Sequence, residues 1–203
     1  MIKMLLVVVI GYFLGSISSG VLLSKAIMKK DIRTQGSGNA GTTNMLRIHG
    51  KGMALVTFLC DILKGVIAVY IGKWLVGGEL GGVLGVLGAV LGHNYPIFFG
   101  FKGGKGIATS FGSLLFVYPI QALLAFSVFL ILVFITHYVS VGSIVAAFTL
   151  PALVILTRPF DPIIWGIMAF LGTMVIYRHK SNIVRLMQHK ENKLDFSVFK
   201  KKK

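Results

Sequence analysis

Apolar residues in this chain gather in long blocks parted by short polar breaks, without the alternation of a strand or the single stripe of a soluble helix. Seven blocks predict helices, at residues 2–24, 52–74, 80–91, 107–116, 119–136, 143–156 and 163–176. Crossing a hydrocarbon layer of about 30 Å takes about 20 helical residues. The third and fourth blocks are shorter than that. They are expected to tilt, to extend into their polar flanks, or to form a re-entrant pair that leaves five full crossings. The predicted fold class is an all-α membrane protein, a polytopic bundle of seven transmembrane helices of which two are short. The first block lacks a basic leader and a small-residue cleavage site, so it is read as a retained span. Residues 1–203 are expected to form one integral membrane domain with a basic tail from about residue 190.

Composition agrees with the pattern, with 55% of residues hydrophobic and only 13% charged. The net charge of +15 would suggest nucleic acid in a soluble protein, but 17 of the 21 Lys and Arg lie in or beside the polar segments 25–51, 93–106 and 177 onward. Basic residues mark cytoplasmic loops. The N-terminus is therefore expected outside and the C-terminus in the cytoplasm, with these segments and the turn at 137–143 on the cytoplasmic face of the cell membrane. Partners are then the lipid bilayer and phosphorylated molecules, and no nucleic acid. The tail, with Phe196, Phe199 and four terminal lysines, suits a segment lying on an anionic leaflet or a solvated tail. The single cysteine, Cys60, excludes an intrachain disulfide and sits among apolar neighbours unsuited to a reactive thiol.

The unusual chemistry lies in the polar segments. Gly36-Ser37-Gly38-Asn39-Ala40-Gly41-Thr42-Thr43-Asn44-Met45-Leu46-Arg47 combines glycines that admit positive φ, hydroxyl donors, a helix start and an arginine, the requirements of a phosphate cradle. A second run, Gly92-His93-Asn94-Tyr95-Pro96 through Lys102-Gly103-Gly104-Lys105-Gly106, sets two lysines among glycines ahead of an apolar helix. It is not a nucleotide-binding P-loop, because Gly106 follows Lys105 and Phe99 stands at the motif's first glycine. The candidate phosphate-binding residues are Gly36, Ser37, Gly38, Asn39, Thr42, Thr43, Arg47, His93, Asn94, Gly103, Gly104 and Lys105. Two further segments read His137-Tyr138-Val139-Ser140-Val141-Gly142-Ser143 and Tyr177-Arg178-His179-Lys180-Ser181-Asn182. His179 and Asn182, three apart, share a face if the last helix continues through them. Asp61 and Lys64 lie inside the second span, where unpaired charge is costly, at a spacing that lets them pair. The glycines at 81, 85, 88 and 92 recur at helical spacing and are expected to let helices approach closely. The histidines are too scattered and the acids too few to propose a metal, and no cofactor is implied.

These runs together resemble the PlsY family, the bacterial acyl-phosphate-dependent glycerol-3-phosphate acyltransferases, over the whole chain. The resemblance implies transfer of a fatty acyl group from acyl phosphate to glycerol 3-phosphate, giving lysophosphatidate and phosphate, the first acylation of phospholipid synthesis. It implies substrate contacts at Ser37, Asn39, Arg47, Lys105, Ser143, His179 and Asn182, with Ser37, Ser143, His179 and Asn182 as the catalytic candidates. A soluble enzyme that forms acyl phosphate is a candidate partner. No histidine is followed at the fifth position by aspartate, which argues against acyltransferases that pair His with Asp on thioester donors. The rival reading is a membrane transporter of a phosphorylated anion, which should carry polar groups through to the opposite face.

Overall fold

The computed structural model describes residues 1–195 and is all-helical there. Phe196, Phe199 and the lysines at 200–203 lie outside the described residues. The chain divides into two compact units, Met1–Val117 and Tyr118–Lys203. Among the described residues, five segments are long and apolar enough to cross a membrane: Ile2–Met28, Thr42–Leu75, Gly78–Phe99, Pro119–Thr136 and Val139–Thr157. Pro162–Arg178 is a shorter apolar helix.

The first unit holds α1 (Ile2–Gly15), α2 (Ser19–Met28), α3 (Thr42–Leu75), α4 (Gly78–Asn94) and α5 (Ile107–Leu115). α4 is its axis. Its glycines are where neighbouring main chains touch it: a side chain on Gly81 or Gly85 would collide with the backbone of Gly72 or Ala68 on α3. One on Gly88 or Gly92 would strike Val8 or Tyr12 on α1. The expected close packing is therefore made with two different helices from one glycine series.

Three boundaries differ from the sequence reading. The first block is broken, because Ser18 takes an extended conformation (φ −80°, ψ 92°) that ends the ladder between α1 and α2. The third helix begins at Thr42 and runs 34 residues, with a kink where Gly50 adopts φ 78°, a value open mainly to glycine. α4 reaches 17 residues by taking in its polar ends, while α5 keeps only nine, about 14 Å of rise, too little to span a bilayer. Cys60 lies exposed on the flank of α3, in line with the exposed Leu59 and Leu63.

The second unit holds α6 (Pro119–Thr136), α7 (Val139–Thr157), α8 (Pro162–Arg178) and α9 (Lys180–Met187). Gly142 lets α7 meet the main chain of Phe129 on α6, and Gly172 lets α8 meet Ala147 on α7. Asp161 caps α8 by accepting from the N–H groups of Ile163 and Ile164 at 2.9 and 3.0 Å. Most of the outer surface of α6 is apolar and exposed, as a lipid-facing helix requires.

Candidate active site

Within the first unit, the glycine-rich segment after α2 is organised by one side chain. Asn44, buried in the first turn of α3, donates through Nδ2 to the carbonyls of Ile32 (3.2 Å), Gln35 (3.0 Å) and Asn39 (3.0 Å). Its Oδ1 accepts the Ser37 N–H at 2.9 Å. The loop thus wraps an amide that supplies partners its backbone would otherwise lack. Beneath it Val21, Ile32, Ala40, Met45 and Ala54 form a closed apolar cluster. Above it Ser37 and Arg47 are exposed, and Gly36 and Gly38 turn the chain with φ of 56° and 72°. Thr42 and Thr43 open α3 behind Gly41, so their N–H groups belong to the unpaired first turn of that helix.

The second glycine-rich segment folds back on the end of α4. The Gly104 N–H donates to the His93 carbonyl at 3.1 Å. A side chain at Gly103 would run into that same carbonyl, and one at Gly104 would run into the His93 ring. His93 and Asn94 are consequently buried beneath the turn, while Lys105 is half-buried beyond it. Gly106 takes φ 86° and starts α5.

Arg33 ties the two segments together. Its Nη1 donates to the carbonyls of Phe99 (2.7 Å) and Lys102 (3.1 Å), and its Nε and Nη2 grip the Asp31 carboxylate at 3.0 and 2.8 Å. That hydrogen-bonded guanidinium holds the Asp31 carboxyl well below the usual carboxylate range against the opposing effect of burial, with Lys25 helping at 3.4 Å. The arginine is held charged by the same contact.

In the second unit the helix does not continue through His179. α8 ends at Arg178, α9 begins at Lys180, and His179 sits at the joint with its Nδ1 2.8 Å from the Val175 carbonyl. A carbonyl only accepts, so the proton lies on Nδ1 and Nε2 is the basic nitrogen. The N–H groups of Asn182 and Ile183 both donate to the His179 carbonyl, at 2.8 and 3.0 Å, so His179 opens α9 and Asn182 lies in its first turn. Asn182 Nδ2 also donates to Glu191 Oε1 at 2.7 Å, where Ser140 Oγ donates at 3.2 Å. Arg185 Nε donates to the other carboxylate oxygen at 2.7 Å. Ser143 lies one turn along α7 from Ser140, and both are buried.

The chain as a whole finds matches among known proteins. The family model for glycerol-3-phosphate acyltransferase fits residues 5–189. The chain belongs to the glycerol-3-phosphate acyltransferase family. The enzyme of that name from Clostridioides difficile (strain 630) is 45% identical, covering 94% of this chain and 95% of its own length. That from Finegoldia magna is 44% identical over 92% and 93% of the two chains. The crystal structure of PlsY, an integral membrane glycerol 3-phosphate acyltransferase, in its glycerol 3-phosphate form superposes with a TM-score of 0.89 at 36% identity. It covers 98% of this chain and 99% of that one. The lysophosphatidic acid form of PlsY gives a TM-score of 0.84.

The protein is thus a membrane acyltransferase of phospholipid synthesis. Gly36, Ser37, Gly38, Asn39, Thr42, Thr43, Arg47, His93, Asn94, Gly103, Gly104 and Lys105 all lie in the first unit. Ser143, His179 and Asn182 belong to the second. The sequence reading passed over Asn44 as a hub, Arg33 and Asp31 as a clasp, and Ser140 and Glu191 as partners of Asn182. Only the position of Asn44 at the start of a helix hinted at its role.

Proposed function

We propose that this acyltransferase takes its acyl group from acyl phosphate and delivers it to glycerol 3-phosphate, forming 1-acyl-glycerol 3-phosphate and phosphate. The observation that carries the reading is the pair of cation-bearing glycine turns clasped by Arg33: a reaction with two phosphorylated substrates needs two places for phosphate. The existence of a glycerol 3-phosphate form of PlsY supports the acceptor. The lysophosphatidic acid form supports the product.

The donor is a mixed anhydride, so the acceptor hydroxyl can attack its carbonyl carbon directly. A new ester C–O bond forms, the carbonyl-to-phosphate C–O bond breaks, and phosphate leaves with the electron pair. Arg47, Lys105, the Asn39 amide, the hydroxyls of Ser37, Thr42 and Thr43, and the first-turn N–H groups of α3 at Thr42 and Thr43 are assigned to the phosphates, with Gly36, Gly38, Gly103 and Gly104 clearing space for them; negative charge grows on the leaving group. Ser37, Ser143 and Asn182 are assigned to polarising and orienting the reacting groups. The acceptor proton goes to His179 Nε2 or to a substrate phosphate, and no metal or other cofactor enters the scheme. The chain works as one acyltransferase domain over residues 1–203, in the cell membrane with its N-terminus outside, the reaction on the cytoplasmic side and the tail from about 190 in the cytoplasm. That placement suits a donor whose chain, worth about 0.8 kcal/mol per buried CH₂, resides in lipid while the acceptor is in water. A soluble enzyme making acyl phosphate would deliver to the same face.

Purified protein given acyl phosphate and glycerol 3-phosphate should release phosphate and lysophosphatidate in equal amounts. Activity with an acyl thioester in place of acyl phosphate, and none with acyl phosphate, would sink the donor assignment. Replacing His179 by Gln tests the proton's route: a pH–rate profile that keeps its shape assigns the proton to a substrate phosphate.

A further inference from the structure

Asp61 and Lys64 pair as their spacing predicts, with Nζ 2.8 Å from Oδ1, both buried within α3. Mutual neutralisation would need nothing more, yet the same Oδ1 gathers two other groups. Ser19 Oγ donates to it at 3.2 Å, and His93 Nδ1 stands 3.4 Å away. The far side of that imidazole, at Nε2, lies against the Cα of Gly104, where even a methyl group could not fit. The His93 main-chain carbonyl takes the Gly104 N–H. The ring is therefore wedged between a carboxylate and the turn that carries Lys105. Lys64 fixes the other end of the wedge, because its Nζ also donates to the Ile17 carbonyl at 2.9 Å, a group released by the break between α1 and α2. A buried ion pair is weak support for stability, since apolar residues of similar volume usually do as well. What this pair does that apolar residues could not is hold an imidazole at a set height under a glycine turn.

We propose that Asp61 is a positioning residue for acyl transfer, acting through the His93 ring on the Gly103-Gly104-Lys105 turn. The proposal rests on the assignment of Lys105 to a substrate phosphate, and the experiment separates the two. Removing one charge alone would strand the other in the bundle, so Asp61→Asn is combined with Lys64→Gln. The full-length protein, reconstituted in lipid, is then assayed for kcat and for KM toward each substrate, with thermal melting as the check on folding. Lys105→Ala identifies the substrate whose KM depends on that lysine. The double variant should melt close to the wild type while KM for that substrate rises about tenfold or more, the loss of one well-placed charge-assisted hydrogen bond. Adding Lys105→Ala to it should cost little further, because both changes remove the same contact. A folded double variant with wild-type KM, or with a fall confined to kcat, overturns the proposal.

Should the double variant fail to fold, His93→Gln leaves the Asp61–Lys64 pair intact and removes the wedge. It must show the same rise in KM, and a wild-type KM there overturns the proposal equally. If Lys105→Ala leaves both KM values unchanged while His93→Gln raises one, the lysine's phosphate role fails. The positioning of the turn by the His93 ring survives.

Discussion

The two glycine-rich segments of the first unit use glycine in different proportions, although Gly36 in the first also presses on the Asn44 side chain and Gly106 in the second also takes positive φ. In the first, Gly36 and Gly38 supply positive φ, and the loop they shape is held by side chains: Asn44 from within and Arg33 from the flank. In the second, Gly103 and Gly104 supply absence, because the space a side chain would fill is occupied by the His93 carbonyl and ring. A loop tied by side chains can yield around a ligand, whereas a turn pressed on a histidine has no slack. The first segment is suited to closing on a substrate and the second to presenting Lys105 at one fixed place.

The comparison can be tested at its strongest point by Gly104→Ala. The added methyl must displace a buried imidazole and the turn with it, and activity should fall by about a hundredfold or more, in line with the loss expected when a reacting geometry shifts by about 1 Å. Retention of a tenth of the wild-type kcat/KM would show that the turn has slack after all. Asn44→Ala comes next, since it leaves the buried Ile32 carbonyl unpaired at about 1–3 kcal/mol and frees three part-buried groups of the loop. A thermal melt should record the loss as a clear drop in Tm, with activity lost alongside. Arg33→Lys keeps the charge but not the forked geometry, so the link from Asp31 to Phe99 and Lys102 should loosen. About a tenfold loss in kcat/KM with little change in Tm is expected, from about one charged hydrogen bond. Gly38→Ala should do least. Its φ of 72° costs an alanine about 1–2 kcal/mol, but the nearest atom to the new methyl is the Arg33 carbonyl at 3.4 Å, an ordinary contact. Steady-state kinetics should change by a few fold, and a loss as deep as that of Gly104→Ala would erase the distinction between the two segments.

Much of this architecture could be read from the chain because bilayers constrain sequence harshly. All seven apolar blocks became helices, and the glycine series of α4 packs as its spacing foretold. The break in the first block was harder to see. Its sign was the cluster Ser16, Ser18, Ser19 and Gly20 in an otherwise apolar run, but serines often stay helical by bonding to their own backbone, and the Lys64 ammonium that takes the Ile17 carbonyl at the break comes from 47 residues away. The kind of site was legible from residue types, since glycine, hydroxyl and cation together speak of phosphate. Its supports were not. Asn44, Asp31, Arg33 and Glu191 look like ordinary polar loop residues, and their roles come from carbonyls and side chains that the fold alone brings to them. The same holds for His179, which stands at the joint between α8 and α9 rather than within a continuous helix.

α4 carries six glycines in 17 residues, and four of them touch a neighbouring main chain. A saturation scan of the protein would therefore record two bands of intolerance. One would follow the polar turns, where substitution abolishes turnover in a folded enzyme. The other would run down the apolar middle of α4, where the smallest addition pries α1 or α3 away and the protein is degraded before it can be assayed. Abundance measured in parallel with activity tells the bands apart, and without it the glycines of α4 would be mistaken for chemistry.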